Sequence, residues 1–350
     1  MNAIVTMTSQ ELKPQRHSRA SGRVTIVDVA RLARVSPMTV SRALKTPALV
    51  QLEARDRIAA AIKQLGYVPN QAASTLASAK SQVIGVIVPS LSNSVFVDTL
   101  TGIRDSLNQH GYKFLIGESS YSPEKESQLI STYLAHAPDG FLLSGIEQQD
   151  ALREQLATHN VPAVRMFDLN PENGEVTVGF SHEEAGYSIA RHLIERGYRQ
   201  PGFLGAQLDP RMMKRRHGFR KALSEAGINP DIEVLTPAPS TVELGTKMLG
   251  QILQQTPACD AVFCCNDDLA LGVLFECQRR GLSVPGQMAI AGFNDLPWSA
   301  FANPGITTIV TPRYDIGFTA AQLLIKLLRH ETPETTSVDL GFKLAIRSST

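Results

Sequence analysis

The apolar positions of this chain change rhythm at about residue 80, and the two rhythms predict two kinds of structure. In residues 25–45, Val27, Val29, Ala30 and Leu32 to Ala33 give a short helix an apolar face. Val35 and Ser36 make a turn, and Val40, Ala43 and Leu44 repeat at helical spacing beyond it. That is a helix-turn-helix pattern. Ser36 is placed to cap the second helix, and Pro37 at its first position loses no hydrogen bond. Leu52 to Leu65 reads as a third helix, with Ile58, Ala61, Ile62 and Leu65 on one face and Gly66 as its stop. From residue 83 apolar strands alternate with amphipathic helices. Strands are expected at 83–89, 114–119, 139–145 and 162–168, with helices near 94–110, 123–136 and 149–158 between them. A second round has helices at 183–196, 211–226, 241–255 and 268–280, with strands at 202–205, 233–236, 261–266 and 288–293. This alternation predicts two parallel α/β halves with helices on both sheet faces, hence an α/β fold class with an all-α head.

Two segments fit neither rhythm. Residues 1–22 are polar, carry Lys13, Arg16, His17 and Arg19, and read as a flexible tail. Residues 67–80, YVPNQAASTLASAK, surround one large apolar residue, Leu76, with small ones. That composition suits a plain linker helix, or a hinge that orders on contact and pushes Leu76 between base pairs. The expected division is therefore a tail at 1–22, a headpiece at 23–67, a hinge at 68–80 and a body at 81–350.

The net charge of +1 hides an asymmetry. Residues 1–80 hold 12 Lys and Arg against 4 Asp and Glu, a net of +8, which leaves 22 against 29 in residues 81–350, a net of −7. Ordinary solvated helix faces can carry such basic residues. Beside a helix-turn-helix pattern, the basic head and acidic body instead point to phosphate binding at one end only. No apolar stretch of about 18 residues exists and no signal-peptide core opens the chain, so a cytoplasmic protein is expected, with no membrane partner. Cys259, Cys264, Cys265 and Cys277 sit in apolar surroundings and read as buried, unreactive thiols.

On the second helix, Pro37, Met38, Ser41 and Arg42 project from the exposed face and N-terminal end, where a recognition helix meets the major groove. Arg42 can bridge O6 and N7 of guanine or, alternatively, contact a phosphate. Met38 can touch a thymine methyl, and Thr25, Thr39 and Ser41 suit phosphate oxygens. In the body, ligands of such sheets lie beyond the carboxyl ends of the strands. Ser90, Asp168, Asn266, Asp267, Asn294 and Asp295 fall at those ends.

The stretch TIVDVARLARVSPMTVSRAL, LGYVPN at 65–70, NDDLALG at 266–272, AGFND, and ITTI at 306–309 together resemble the lac-repressor (LacI) family of bacterial transcription regulators. The resemblance runs from about residue 24 to residue 347. It implies a hinge helix that forms on near-palindromic operator DNA, a homodimer, and a two-subdomain body similar to periplasmic sugar-binding proteins, with a small effector in the cleft. By the same resemblance Leu76 is the wedging hinge leucine, Asn70 helps hold the hinge, and Arg215 is the cleft arginine that takes a carboxylate in acid-binding members. Asn266 and Asn294 would serve a polyhydroxy chain. Many members carry Asp where this chain has Asn294, and an acidic ligand explains the change by removing a like-charge repulsion. Ser90 and Phe96 resemble the other subdomain's contribution, and Asp168 or Arg165 supplies another.

Within the family, IGVIVPSLSNSVF, VFCCNDDLALGVLFECQRRGL and VDLGF look most like gluconate-utilisation repressors. Gluconate is the expected effector, with 2-ketogluconate and 6-phosphogluconate as alternatives and co-repression as the alternative mode. No catalytic group, metal set or cofactor motif is found: there is no Walker loop and no G-x-S-x-G, and the eight histidines lack ligand spacing. A sugar-binding protein without a regulatory role would share the body but lack the basic head.

Overall fold

The structure, a computed structural model, describes residues 24–68, 80–144, 150–169 and 175–350. The expected tail, and residues 69–79 of the hinge with Asn70 and Leu76, lie outside the described residues. The chain divides into one unit ending at Ala79 and another beginning at Lys80.

In the first unit, α1 (Ile26–Ala33) starts where the Asp28 carboxylate accepts the Thr25 amide at 2.9 Å and its hydroxyl at 2.7 Å. Arg34, in the left-handed conformation, turns the chain toward α2 (Pro37–Lys45). A short 3-10 turn at Pro47–Leu49 leads to α3 (Leu52–Leu65), which ends at left-handed Gly66. Val29, Ala30, Ala33, Val40, Ala43, Ile58 and Ala61 form the core, and Tyr67 folds back to close it. Val27, Leu32 and Leu44, expected on inner faces, are exposed. The helices approach over alanines, so each needs only a narrow apolar stripe. Arg57 fastens α3 to the end of α1 by donating from Nε to the Ala33 carbonyl at 3.2 Å.

The second unit contains two six-stranded sheets. One is wholly parallel: β1 (Val83–Val88), β2 (Lys113–Glu118), β3 (Gly140–Leu143), β4 (Ala163–Met166), β5 (Val176–Gly179) and β11 (Ser337–Asp339), in the order β11-β5-β4-β3-β1-β2. It is flanked by α4 (Val95–Asn108), α5 (Pro123–Leu134), α6 (Asp150–Thr158) and α11 (Arg313–Leu328). The other contains β6 (Pro201–Ala206), β7 (Glu233–Thr236), β8 (Ala261–Cys264), β9 (Ala289–Asn294), β10 (Thr307–Val310) and β12 (Lys343–Ala345), in the order β12-β10-β9-β8-β6-β7. Only β12 runs antiparallel to its neighbour. Its helices are α7 (His182–Glu195), α8 (Pro210–Glu225), α9 (Val242–Gln255) and α10 (Asp267–Arg280).

The sequence reading anticipated the alternation but not β5, β10, β11, β12 or α11. These segments weave the halves together. The chain leaves the first sheet after β5, returns through α11, and crosses again between β11 and β12. α11 packs on α4, so the C-terminal part of the chain completes the first half. α7 and α8 cross so closely that a Cβ on Gly186 would meet the Arg215 carbonyl, and one on Gly218 would meet the Glu183 carbonyl. That crossing brings the start of α7 against the middle of α8.

Candidate functional site

Two surfaces carry the chemistry. On the first unit, the Ser36 hydroxyl oxygen accepts the Thr39 amide at 3.1 Å and pairs with the Thr39 hydroxyl at 2.9 Å, fixing the first turn of α2. Pro37 and Arg42 are exposed, Met38 is 70% exposed, and Ser41 is half-buried. No described residue accepts from the Arg42 guanidinium. Met38, at the start of α2, and Arg42, in its last turn, are thus both open to solvent. The Thr25 hydroxyl, expected on phosphate, donates to Asp28 instead.

In the second unit, a cavity of about 530 Å³, counting its open mouth, lies at the strand ends of the two halves. The first half lines it with Asn93, Phe96, Tyr121, Phe167 and Phe180. The second half adds Gln207, Asp209, Arg211, Arg215, Cys265, Asn266 and Asn294. His182 joins the walls. Its Nε2–H donates to the Phe167 carbonyl at 2.7 Å, while its Nδ1 accepts from Arg215 Nε at 3.2 Å. A carbonyl can only accept and a guanidinium can only donate, so the ring is the neutral Nε2–H tautomer. Burial, followed by the charges of Arg215 and Arg211, holds the His182 pKa well below its ordinary value.

Arg215 also donates through Nη1 to the Cys265 carbonyl at 2.6 Å, and its guanidinium lies 3.9 Å from the Phe293 ring centre. Burial lowers its pKa from the ordinary value. Its neighbours in the three-cation run go elsewhere. Lys214 Nζ donates to both Asp168 oxygens at 2.8 and 2.6 Å, and Arg216 forks onto Glu233 at 2.6 Å. Three adjacent cations thus have three separate tasks, and one of them faces the cavity.

The expected effector residues do not all converge. Phe96, Arg215, Asn266 and Asn294 line the cavity; Ser90 and Asp168 do not. The Ser90 hydroxyl oxygen accepts the amides of Ser92 and Asn93 at 3.2 and 3.3 Å, shaping the turn that presents Asn93. Asp168 is held by Lys214, and Arg165 by Glu175 at 2.6 Å. Asn266 caps α10 through its side-chain oxygen, which accepts the Leu269 amide, while its amide nitrogen donates to Ser240 at 2.6 Å. Asn294 sits at φ 109° at the end of β9 and lines the cavity. Asp267 belongs to the framework: its carboxylate accepts from Thr308, Leu296 and Ser299, and burial pushes its pKa up to about 6. Asp295 pairs with Arg347 at 2.7 Å.

Sequence reasoning missed Asn93, Tyr121, His182, Arg211 and Arg313. Arg313 donates to the Asn294 carbonyl and, at 2.8 and 3.0 Å, to Asp98 on α4, so it ties one cavity wall to the other half. Serine followed by His182 at a helix start, and Asp-Pro before Arg211, were the available signals. Both mark helix N-termini at strand ends.

All four cysteines are buried and free. Burial pushes the thiols of Cys259 up to about 12 and of Cys265 and Cys277 up to about 11. Among the described residues no group of His, Cys, Asp and Glu is arranged to hold a metal ion.

Comparison with known proteins places these two surfaces in context. A profile of the bacterial regulatory proteins of the lacI family matches residues 25–70, and one of periplasmic binding protein-like domains matches residues 190–350. The HTH-type transcriptional regulator GntR of Pseudomonas aeruginosa is 45% identical over 339 residues, covering 97% of this chain and 99% of the relative. The crystal structure of transcription regulator GntR from Chromobacterium violaceum superposes with a TM-score of 0.75 at 48% identity, over 76% of this chain and 98% of that one. The lac repressor dimer bound to operator and an anti-inducer superposes with a TM-score of 0.83 at 27% identity, over 93% and 99%.

Proposed function

Because the chain belongs to the lacI family of bacterial regulatory proteins, we propose that it is a homodimeric, ligand-responsive repressor of sugar-acid catabolism genes, released from operator DNA by gluconate. The observation that carries this reading is the cavity, whose walls combine two arginines, four carboxamides and the rings of three phenylalanines and a tyrosine. Guanidinium groups suit a carboxylate, carboxamides can both donate and accept with hydroxyls, and ring faces pack against the C–H groups of a polyol chain.

In this reading residues 23–67 are the headpiece, 68–80 the hinge and 81–350 the effector-binding and dimerisation domain. Arg42 and Met38 read bases, Pro37 starts the recognition helix, and Thr39, Ser41 and Asn70 support backbone contact, while Thr25 caps α1 through Asp28. Leu76 wedges the minor groove. Phe96, Arg215, Asn266 and Asn294 contact the effector. The chain acts in the cytoplasm and is not an enzyme; among the described residues no helix is long and apolar enough to cross a membrane.

A mobility-shift titration of the operator complex at fixed salt tests the reading. Gluconate is expected to dissociate the complex. A complex left intact by gluconate, 6-phosphogluconate and 2-ketogluconate alike overturns it.

A further inference from the structure

Four cations of α8 donate hydrogen bonds: Lys214 to Asp168, Arg215 to His182 and Cys265, Arg216 to Glu233, and Arg220 to Asp231. Lys221 only approaches Glu183, at 3.8 Å, but is exposed to water. Arg211 differs from all of these. It is only 6% exposed, it lines the cavity, and no described residue accepts a hydrogen bond from its guanidinium. Its nearest carboxylate oxygen, Oδ1 of Asp209, is 3.8 Å from Nε and already accepts the amides of Arg211 and Met212 at 2.9 and 3.1 Å. A buried guanidinium left without an acceptor is costly, so a protein keeps one where a ligand completes it.

A further fact favours an anion there: Arg211 stands in the first turn of α8, where the helix dipole is positive.

We propose that Arg211 is the anion anchor of the cavity. Its fork takes the carboxylate of the sugar acid, while Arg215, committed to His182, Cys265 and Phe293, positions the wall and offers its remaining N–H groups to hydroxyls. The proposal rests on the sugar-acid reading and assigns the charged end of that ligand to one residue.

The test is a calorimetric titration of the full chain with gluconate and with glucitol, in which an alcohol replaces the carboxylate. The wild type prefers gluconate. Arg211→Gln should lower gluconate affinity about 10- to 150-fold, the usual range for a charge-assisted hydrogen-bonded pair, and so erase the preference. Arg211→Lys, which keeps the charge without the fork, should retain a reduced preference. Arg215→Gln should weaken both probes in parallel. Full preference in Arg211→Gln, an Arg211→Lys protein indistinguishable from wild type, or loss of preference in Arg215→Gln alone each overturns the assignment. A wild type that binds no gluconate, 2-ketogluconate or 6-phosphogluconate refutes the sugar-acid reading, and this inference with it.

Discussion

Replacing Arg215 by glutamine separates a positioning role from a purely ligand-binding one. The substitution removes the donors to His182 Nδ1 at 3.2 Å and to the Cys265 carbonyl at 2.6 Å, together with the guanidinium packed on Phe293. What remains decides the magnitude. Two buried acceptors without donors cost about 1–3 kcal/mol each, and water entering from the open cleft restores part of that. The desolvation cost of the guanidinium is also relieved. A net loss of about 2 kcal/mol is therefore expected, within the range for a broken buried network. Trp298 is the only tryptophan, so its fluorescence during urea unfolding follows the body selectively. A midpoint shift below about 0.5 kcal/mol equivalent, or a gain in stability, would refute the argument that Arg215 holds the pocket wall.

Further outcomes follow from other parts of the structure. His182 is neutral in the folded body and titrates near 6.5 when unfolded, so its contribution is lost as pH falls below about 6.5, by up to about 1.36 kcal/mol per unit. Asp267, raised to about 6, acts in the opposite sense over the same window, so the informative comparison is wild type against His182→Gln, which keeps both hydrogen bonds without titrating. The variant should lose less stability between pH 7 and 5.5 in urea unfolding; parallel losses would contradict the neutral ring. Arg42→Ala should cost about 1–3 kcal/mol on the operator and relax discrimination at one base pair, read from a panel of single-base operator variants at one salt concentration. Uniform weakening would make it a phosphate contact. Gly218→Ala should destabilise by about 1–3 kcal/mol because the new methyl meets the Glu183 carbonyl. Gly250→Ala meets only the mobile end of Arg280 and should gain about 0.5–1 kcal/mol, with thermal melts distinguishing the two.

Much of the fold was legible where local chemistry dictates structure. Ser36, Pro37 and Gly66 mark helix ends, and residues 52–65 repeat at a helical period; the observed bounds match. β11 and β12 were invisible because each is three residues long with no apolar run, held only by partners far away in sequence. β10 opens with two threonines whose burial depends on Asp267 and the chain end. The site divides the same way. Asn266 and Asn294 stand at strand ends that periodicity predicts. Nothing local distinguishes Lys214, Arg215 and Arg216, since their different partners are set by the α7–α8 crossing. Arg211 went unnoticed because its significance lies in a missing acceptor, which only packing reveals. Ser90 looked like a ligand group, yet its hydroxyl is used by its own turn.

The central claim is that one free energy links the cavity to the operator. Coupling of this kind is reciprocal: gluconate must weaken operator binding by the same factor by which operator weakens gluconate binding. The direct measurement is the operator dissociation constant with and without saturating gluconate at fixed salt, paired with the gluconate dissociation constant with and without operator. The account predicts equal factors, each of about 100-fold or more, enough to take an operator from about ten-to-one occupied to about ten-to-one free. Tight gluconate binding that leaves operator affinity unchanged would contradict it.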